Sequence, residues 1–511
     1  MSVVDAKRTS VWVDTGPPQP VFPDLDGDVR ADVAVLGGGI VGITTALLLE
    51  EAGVSVVLLE AERLACGVSG FTTAKVSSQH GLVYARLASM FGAEAARTYG
   101  QANEAALAWI AARVEAQGID CDFRRQAAYA YVTSPAKRGQ VEREVEAALA
   151  AGLPASLVET TPLPYAVEAA VRFERQAEFH VRKYLLALAE QLTGAGCRVF
   201  ERSRAVQVDA GRPCVVKTAG GTVTADRVVL ATHYPFLDRS LAFARVHPQR
   251  SYAIACRIAG KPPAGMHIGA EKPTRSIRAV PLGDEELLLV GGEGHTPGTG
   301  GDTEEHYRRL EQFARQHWEV ASVAYRWSAQ DGTTVDTLPY VGRLTPRSDR
   351  VLMATGFAKW GMAAGTAAAM LLSDLLLDRP SEWAALFDPN RLTPRASARR
   401  LIVQNAEAGV RFVRDRIATP GTRSIDDLRP GEGDIVGHHG EQVAAYRDEH
   451  GALIAVSPRC THLGCHVRWN SAERSWDCPC HGSRFAPSGA VLEGPAVHRL
   501  ERKPLGPTSR C

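Results

Sequence analysis

Two short runs near the end of the chain constrain it most: Cys460-Thr-His462-Leu-Gly-Cys465 and Cys478-Pro-Cys480-His481-Gly-Ser483. Each arm offers one Cys and one His at close spacing, and 15 residues separate His462 from Cys478. Two thiolates suit one iron of a [2Fe–2S] cluster. Two imidazoles suit the other and raise its potential relative to an all-thiolate cluster. A zinc site is the alternative for C-x-H…C-x-x-H, but the extra pair Cys465 and Cys480 and the C-P-C-H-G-S string argue against it. The other six of the ten cysteines are scattered, the pattern of reduced thiols and not of a disulfide framework.

A second constraint lies near the start. DVAVLGGG reads as a buried strand entering a Gly-rich turn, IVGITTALLLEEAG as a helix ending at Gly53, and VSVVLLE as a second buried strand. That is a βαβ unit and predicts a parallel sheet. Gly37, Gly39 and Gly42 spell G-x-G-x-x-G across its turn. The first permits the tight turn, the second lets backbone approach a pyrophosphate, and the third lets helix pack on strand. The diphosphate then sits at the helix N-terminus, where free N–H groups favour an anion. Glu60 ends the second strand and is placed to accept from ribose hydroxyls. An acid there disfavours a 2′-phosphate.

Hydrophobic residues make up 45% and charged residues 23% of the 511, with a formal net charge of +1. This is ordinary for a soluble globular protein and suggests neither nucleic acid nor an anionic membrane as partner. No secretory h-region and no apolar run of membrane-spanning length is read, so the expected location is cytoplasmic. Residues 1–30 read as an N-terminal arm and 31–395 as one large domain whose sheet is assembled from separated stretches. Within it, 86–150 reads as Ala-rich and helical, 199–232 and 245–295 as strands, 303–318 as helix, and 351–378 as strand, Gly-rich loop and helix. Residues 396–420 read as a linker, helical over 396–418, with Ile402, Ala406, Val410, Val413 and Ile417 on one face. A strand-and-turn module occupies 421–511.

Residues 31–380 resemble the FAD-dependent glycine/D-amino-acid oxidase superfamily. Besides the glycine turn, the blocks that carry the resemblance are Arg63 with GVSGFTTAK (67–75), VVLATHY (228–234), WSAQDGTTVDTLPYVG (327–342) and ATGFAKWGMAAG (354–365). The resemblance implies an α/β Rossmann-like FAD-binding domain with an interleaved α+β substrate subdomain. It places Arg63, Ser69, Gly70, Thr72 and Thr73 in a loop wrapping the diphosphate, and Gly356, Trp360, Gly361 and Met362 at the flavin. The family's carboxylate-anchoring Arg falls, by ungapped match from Trp327 to Asp336, on Asp331. An anion in place of an anion clamp disfavours simple α-amino acids and fits a cationic amine, unless Asp331 turns away and pairs structurally. His180 and Lys359 are the other candidate catalytic residues.

Residues 424–511 resemble the Rieske proteins of bc-type complexes, a small all-β fold. Carried over, Cys460 and Cys478 bind one iron and His462 and His481 the other, while Cys465 and Cys480 match the pair that forms a disulfide between the two loops. Ser483 matches a hydroxyl that hydrogen-bonds a sulfide. Phe485 stands where high-potential members have Tyr. The implied function is an FAD-dependent oxidoreductase, a dehydrogenase of an amine-like substrate, passing electrons between FAD and the cluster, with a one-electron carrier protein as partner. The flow could also run the opposite way from a ferredoxin-like donor, or the chain could be a non-enzymatic electron-carrier or redox-sensing module. A Rieske oxygenase would need a mononuclear iron triad, and the fifteen histidines contain no pair at the usual five-residue spacing.

Overall fold

The computed structural model describes residues 2–192, 196–237, 241–299, 301–393, 401–403, 406 and 423–505. The strand Val29–Leu36 enters the glycine turn, the helix Ile40–Glu51 leaves it, and Val56–Leu59 returns alongside. Val56–Leu59 is buried on both faces, as a central parallel strand requires. The first sheet has eight strands. Its parallel centre runs Val351–Thr355, Thr222–Leu230, Val29–Leu36, Val56–Leu59 and Cys197–Phe200, with Tyr340–Arg343 antiparallel at one edge. A turn at Gly220-Gly221 closes the hairpin that pairs Cys214–Lys217 with Thr222–Leu230.

A nine-stranded mixed sheet forms the second body, and its long strands Val246–Ile258 and Val320–Thr334 pair antiparallel along their length. Its sequence segments interleave with those of the first sheet, as expected. The expectation of continuous helix over 86–150 is corrected: Arg124–Val132 is a strand between the helices Ala93–Gln117 and Arg138–Ala150. Its partners, Ala169–Glu178 antiparallel and Met266–Gly269 parallel, are distant in sequence, so tertiary pairing overrides the local alanine content.

The N-terminal arm is folded into the core. Val3, Val11 and Trp12 are buried, and the Trp12 indole N–H donates to the Thr72 carbonyl (2.7 Å). The C-terminal module is all-antiparallel, with one three-stranded and one four-stranded sheet. Residues 401–403 are helical and exposed, and most of the expected linker helix falls outside the described residues. No helix among the described residues is long and apolar enough to cross a membrane.

Candidate functional site: a cavity shared by two domains

One cavity of about 1110 Å³ runs from the glycine turn to the loop at 357–362. Two helices present their N-terminal residues to it: Ile40–Glu51 at the turn, and Gly361–Leu376 at the far end. The turn fits a close-approaching ligand. Gly37 has φ +112°, and a Cβ there would fall 2.4 Å from the Ala231 carbonyl oxygen. A Cβ on Gly42 would fall 1.8 Å from the Gly37 oxygen, so glycine lets the helix seat on the turn. Glu60 accepts from the Gly38 N–H (2.6 Å) and the Glu62 N–H (2.8 Å), and burial pushes its carboxyl pKa up. Ser69 Oγ accepts from the Ile40 N–H (3.1 Å), tying the 67–75 loop to the helix start.

Gly39, Ser69, Thr72, Thr73, Trp360, Gly361 and Met362 line this cavity with Gly37 and Glu60. Arg63, Gly70 and Gly356 stand behind it. Arg63 pairs with the buried carboxylate of Glu201 (3.0 Å). A Cβ on Gly70 would meet the Ala65 carbonyl oxygen at 2.3 Å, and one on Gly356 would meet Thr334 Cγ2 at the same distance. Trp360 stacks on His80 (centroids 4.6 Å apart), and His80 is anchored in turn to the Tyr99 hydroxyl (2.6 Å).

Asp331 and Lys359 both line the cavity. Asp331 accepts from the Lys359 backbone N–H. Burial raises the pKa of its carboxyl, opposed by His233 and the Lys359 ammonium. Burial lowers the Lys359 pKa. Ala358 and Lys359 are consecutive non-glycine residues with positive φ (+49° and +76°), a costly conformation that fixes where the loop aims its side chains.

His180 stands apart from this group. It caps the helix Val181–Gln191: Nδ1 accepts from the Lys183 N–H (3.2 Å), Nε2 meets Thr15 Oγ1 (3.1 Å), and Trp12 packs edge-on against the ring. Burial holds its pKa down to about 4. This is the geometry of a structural cap. His180→Ala is expected to cost about 1 kcal/mol, the ordinary worth of an N-cap, in urea unfolding, with the rate of anaerobic flavin bleaching unchanged. A bleaching defect at unchanged stability would contradict it.

Sequence reasoning passed over two cavity residues. Lys75 is buried, donates from Nζ to the His267 carbonyl (3.1 Å) and Ser276 Oγ (2.5 Å), and has its pKa lowered by burial to about 7. His233 sits at φ +61°, and its buried Nε2 has no hydrogen-bond partner among the described residues. Both lie inside blocks quoted for the family resemblance. Nothing in their spacing marks them, because their surroundings come from distant strands.

The second half of the site is the Cys/His module. The rings of His462 and His481 lie 5.1 Å apart and perpendicular. Cys460 and Cys478 hydrogen-bond each other. Backbone N–H groups of His462 and Leu463 point at Cys460, and those of Cys480 and His481 at Cys478. These contacts and the Ser483 hydroxyl draw the Cys460 thiol down to about 7, favouring the thiolate that a metal needs. Cys465 and Cys480 form a disulfide, packed with its sulfurs within 4.8 Å of Cys478 Sγ. A paired thiol, two imidazoles and converging amide N–H groups fit an iron–sulfur cluster. Ser483 Oγ also accepts from the Ala496 N–H (3.0 Å), leaving its own proton to point at sulfur.

Phe485 is fully buried in the same core as Cys460 and Cys478. Phe485→Tyr is expected to raise the cluster's midpoint potential, because a donor to sulfur stabilises the more negative reduced state. A redox titration showing no change or a fall would place the ring away from the cluster.

The two halves meet. Phe243 of the first domain packs edge-on against both histidines, with centroids 5.9 Å from His462 and 5.3 Å from His481. Gln330 Nε2 donates to the Gly482 carbonyl (2.7 Å) and the Tyr307 hydroxyl to Glu473 (2.8 Å). Thr303 Oγ1 donates to Asn470 (2.8 Å), and the buried Arg250 pairs with Glu473 (3.3 Å). Glu473, Arg484 and Glu493 of the C-terminal module line the same cavity as the glycine turn.

The architecture and donor set define a flavin oxidoreductase joined to an iron–sulfur module. The FAD dependent oxidoreductase family model (DAO) matches residues 32–375, and the Rieske [2Fe-2S] domain model matches 422–504. The chain belongs to the FAD-dependent oxidoreductase family and carries a C-terminal Rieske [2Fe–2S] domain; its cofactors are FAD and that cluster. It is 37% identical over 485 residues to the Rieske 2Fe-2S iron-sulfur protein YhfW of Bacillus subtilis (strain 168), covering 94% of this chain and 95% of that one. It is 27% identical over 215 residues to gamma-glutamylputrescine oxidoreductase of Escherichia coli (strain K12), covering 41% and 50%. Among solved structures, glycine oxidase from Geobacillus kaustophilus superposes with a TM-score of 0.59 at 19% identity, covering 71% of this chain and 99% of that one, a likeness of fold.

Proposed function

We propose that this chain is a dehydrogenase of an amine-bearing small molecule that passes the electrons, one at a time, through its own Rieske cluster to a carrier protein. The observation that carries the reading is the placement of His462 and His481 against Phe243 of the flavin domain. In Rieske centres the histidine-bound iron has the higher affinity for an incoming electron, and here that edge faces the flavin's domain.

FAD supplies acceptance of a hydride from a substrate C–H, and the cluster supplies a one-electron step. The chain's residues do the rest. The amides around Gly37 and Gly39, at the start of Ile40–Glu51, hold the diphosphate, with Ser69, Thr72 and Thr73 closing over it. Glu60 holds a ribose. The N-terminus of Gly361–Leu376 would stabilise negative charge on a flavin bound in the cavity. Asp331, facing the cavity and paired with no arginine among the described residues, receives the substrate's ammonium group, and Lys359 sets its charge. Cys460, Cys478, His462 and His481 hold the irons. The similarity to an enzyme named for a glutamylated diamine supports an amine-bearing substrate.

The test is anaerobic mixing with a panel of amines and amino acids, following flavin bleaching and cluster reduction together. A compound that bleaches the flavin should reduce the cluster within one turnover, and Asp331→Asn should weaken cationic amines most. A cluster that stays oxidised through turnover would overturn the reading.

A further inference from the structure

Adjacent residues on one strand reach the shared cavity and the cluster's ligand loop. Asp331 lines the cavity, and Gln330 does not. Successive side chains on a strand point to opposite faces, and the pairing of Gln249 and Arg250 with Asp331 and Gln330 is regular here. On its own face Gln330 is buried, and its Nε2 donates to the carbonyl of Gly482, the residue after the ligand His481. The approach is close: a Cβ on Gly482 would meet Pro248 Cβ at 2.6 Å and Gln330 Nε2 at 2.7 Å. The other side of the same loop is held as tightly, since a Cβ on Gly298 would meet the Asp477 carbonyl oxygen at 2.9 Å.

The amide carries a cost in this buried position. Gln330 Oε1 is buried with no hydrogen-bond partner among the described residues. Leaving a buried acceptor unmade costs about 1–3 kcal/mol, which an apolar side chain of similar length would avoid. What the amide adds is one direct bond between this strand and the ligand loop.

We propose that Gln330 is the electron crossing between the two centres: the path runs from the cavity face at Asp331 through one residue of backbone, across the Gln330 amide to the Gly482 carbonyl, and along the peptide to His481. This rests on the flavin-to-cluster reading above. In each passage one electron leaves the reduced flavin and one ferric iron becomes ferrous; a one-electron acceptor protein removes it before the second follows. Gln330 acts as a positioning residue, touching neither substrate nor iron.

The test needs no substrate. The flavin of the intact protein is photoreduced by a flash in the presence of a deazaflavin, and cluster reduction is followed in time. Gln330→Met keeps length and removes the donor; Gln330→Asn keeps the amide but withdraws it, and carries the test if Gln330→Met loses either cofactor. Thr303→Ala removes a different bond between the domains and serves as the docking control. The expected result is a severalfold slower transfer in both Gln330 variants, with midpoint potentials and cluster EPR spectrum unchanged and Thr303→Ala near wild type. Transfer as fast as wild type in the Gln330 variants, or equal slowing in Thr303→Ala, overturns the crossing while leaving the flavin-to-cluster reading in place. No transfer in wild type overturns both.

Discussion

Gly42→Val is expected to yield a chain that retains its Rieske cluster but almost no flavin. The added Cβ would sit 1.8 Å from the Gly37 carbonyl oxygen and 3.4 Å from Val35 Cγ1. The first contact is with backbone, and that backbone is the turn proposed to hold the diphosphate. Relief requires the helix Ile40–Glu51 to lift or the turn to flatten, and Gly37 has no slack, at φ +112° against the Ala231 carbonyl. Overpacking of this kind costs about 1–3 kcal/mol in stability. The larger loss is in ligand affinity, because helix N-terminus and turn amides must converge on one anion. Losing a cofactor held at a hundred times its dissociation constant removes roughly 2.7 kcal/mol more. The measurement is flavin absorbance per chain against cluster EPR intensity. Gly39→Ala is the graded control: its Cβ would meet only the Ser69 side chain, with Oγ at 3.0 Å, so partial flavin content is expected. Full flavin content in Gly42→Val would mean that the turn is not the diphosphate site.

The parts of this molecule legible in the sequence are those whose chemistry is local. The glycine turn is one strand, one turn and one helix, and Gly37 and Gly42 are required by backbone atoms within the unit or beside it. The four proposed iron ligands fall in two short runs, and within them it is the resemblance to Rieske proteins that selects Cys460 and Cys478 over Cys465 and Cys480. What sequence could not reveal depends on distant partners. Arg124–Val132 lies between alanine-rich helices and becomes a strand because Ala169–Glu178 and Met266–Gly269 flank it. His180 looks like a reactive histidine until Thr15 and Trp12 of the N-terminal arm close around it.

The shared cavity is the plainest case of a feature without a sequence signal. Glu473 and Glu493 belong to the Rieske module, and nothing in their spacing places them beside a flavin site. Their position follows from Thr303, Tyr307 and Arg250 in the other domain, each held by its own sheet or helix. Asp331 was legible as a departure from a family motif. Its direction was not, since a strand residue has two faces and only the register against Val246–Ile258 fixes which one meets the cavity.

His481→Ala is expected to abolish the cluster while leaving a yellow, folded flavoprotein whose flavin is still bleached by substrate. The side chain is 8% exposed, and its ring lies 5.1 Å from His462 and 5.3 Å from Phe243. One iron would keep a single protein nitrogen, and the vacated space would open toward an apolar ring that offers no replacement ligand. Cluster binding is also part of what stabilises the ligand loops, but the Cys465–Cys480 disulfide still joins them, and the sheets of the module do not contain His481. The defect should therefore stay local. With the cluster gone, a one-electron acceptor should no longer be reduced at a rate matching flavin bleaching. His498→Ala is the control: His498 is exposed, and the hydrogen bond made to it uses its backbone carbonyl, so it should keep both signals. If His481→Ala retained a wild-type Rieske EPR spectrum, the ligand assignment would fail. If it lost the cluster but reduced the acceptor normally, the cluster would not lie on the route by which electrons leave the flavin.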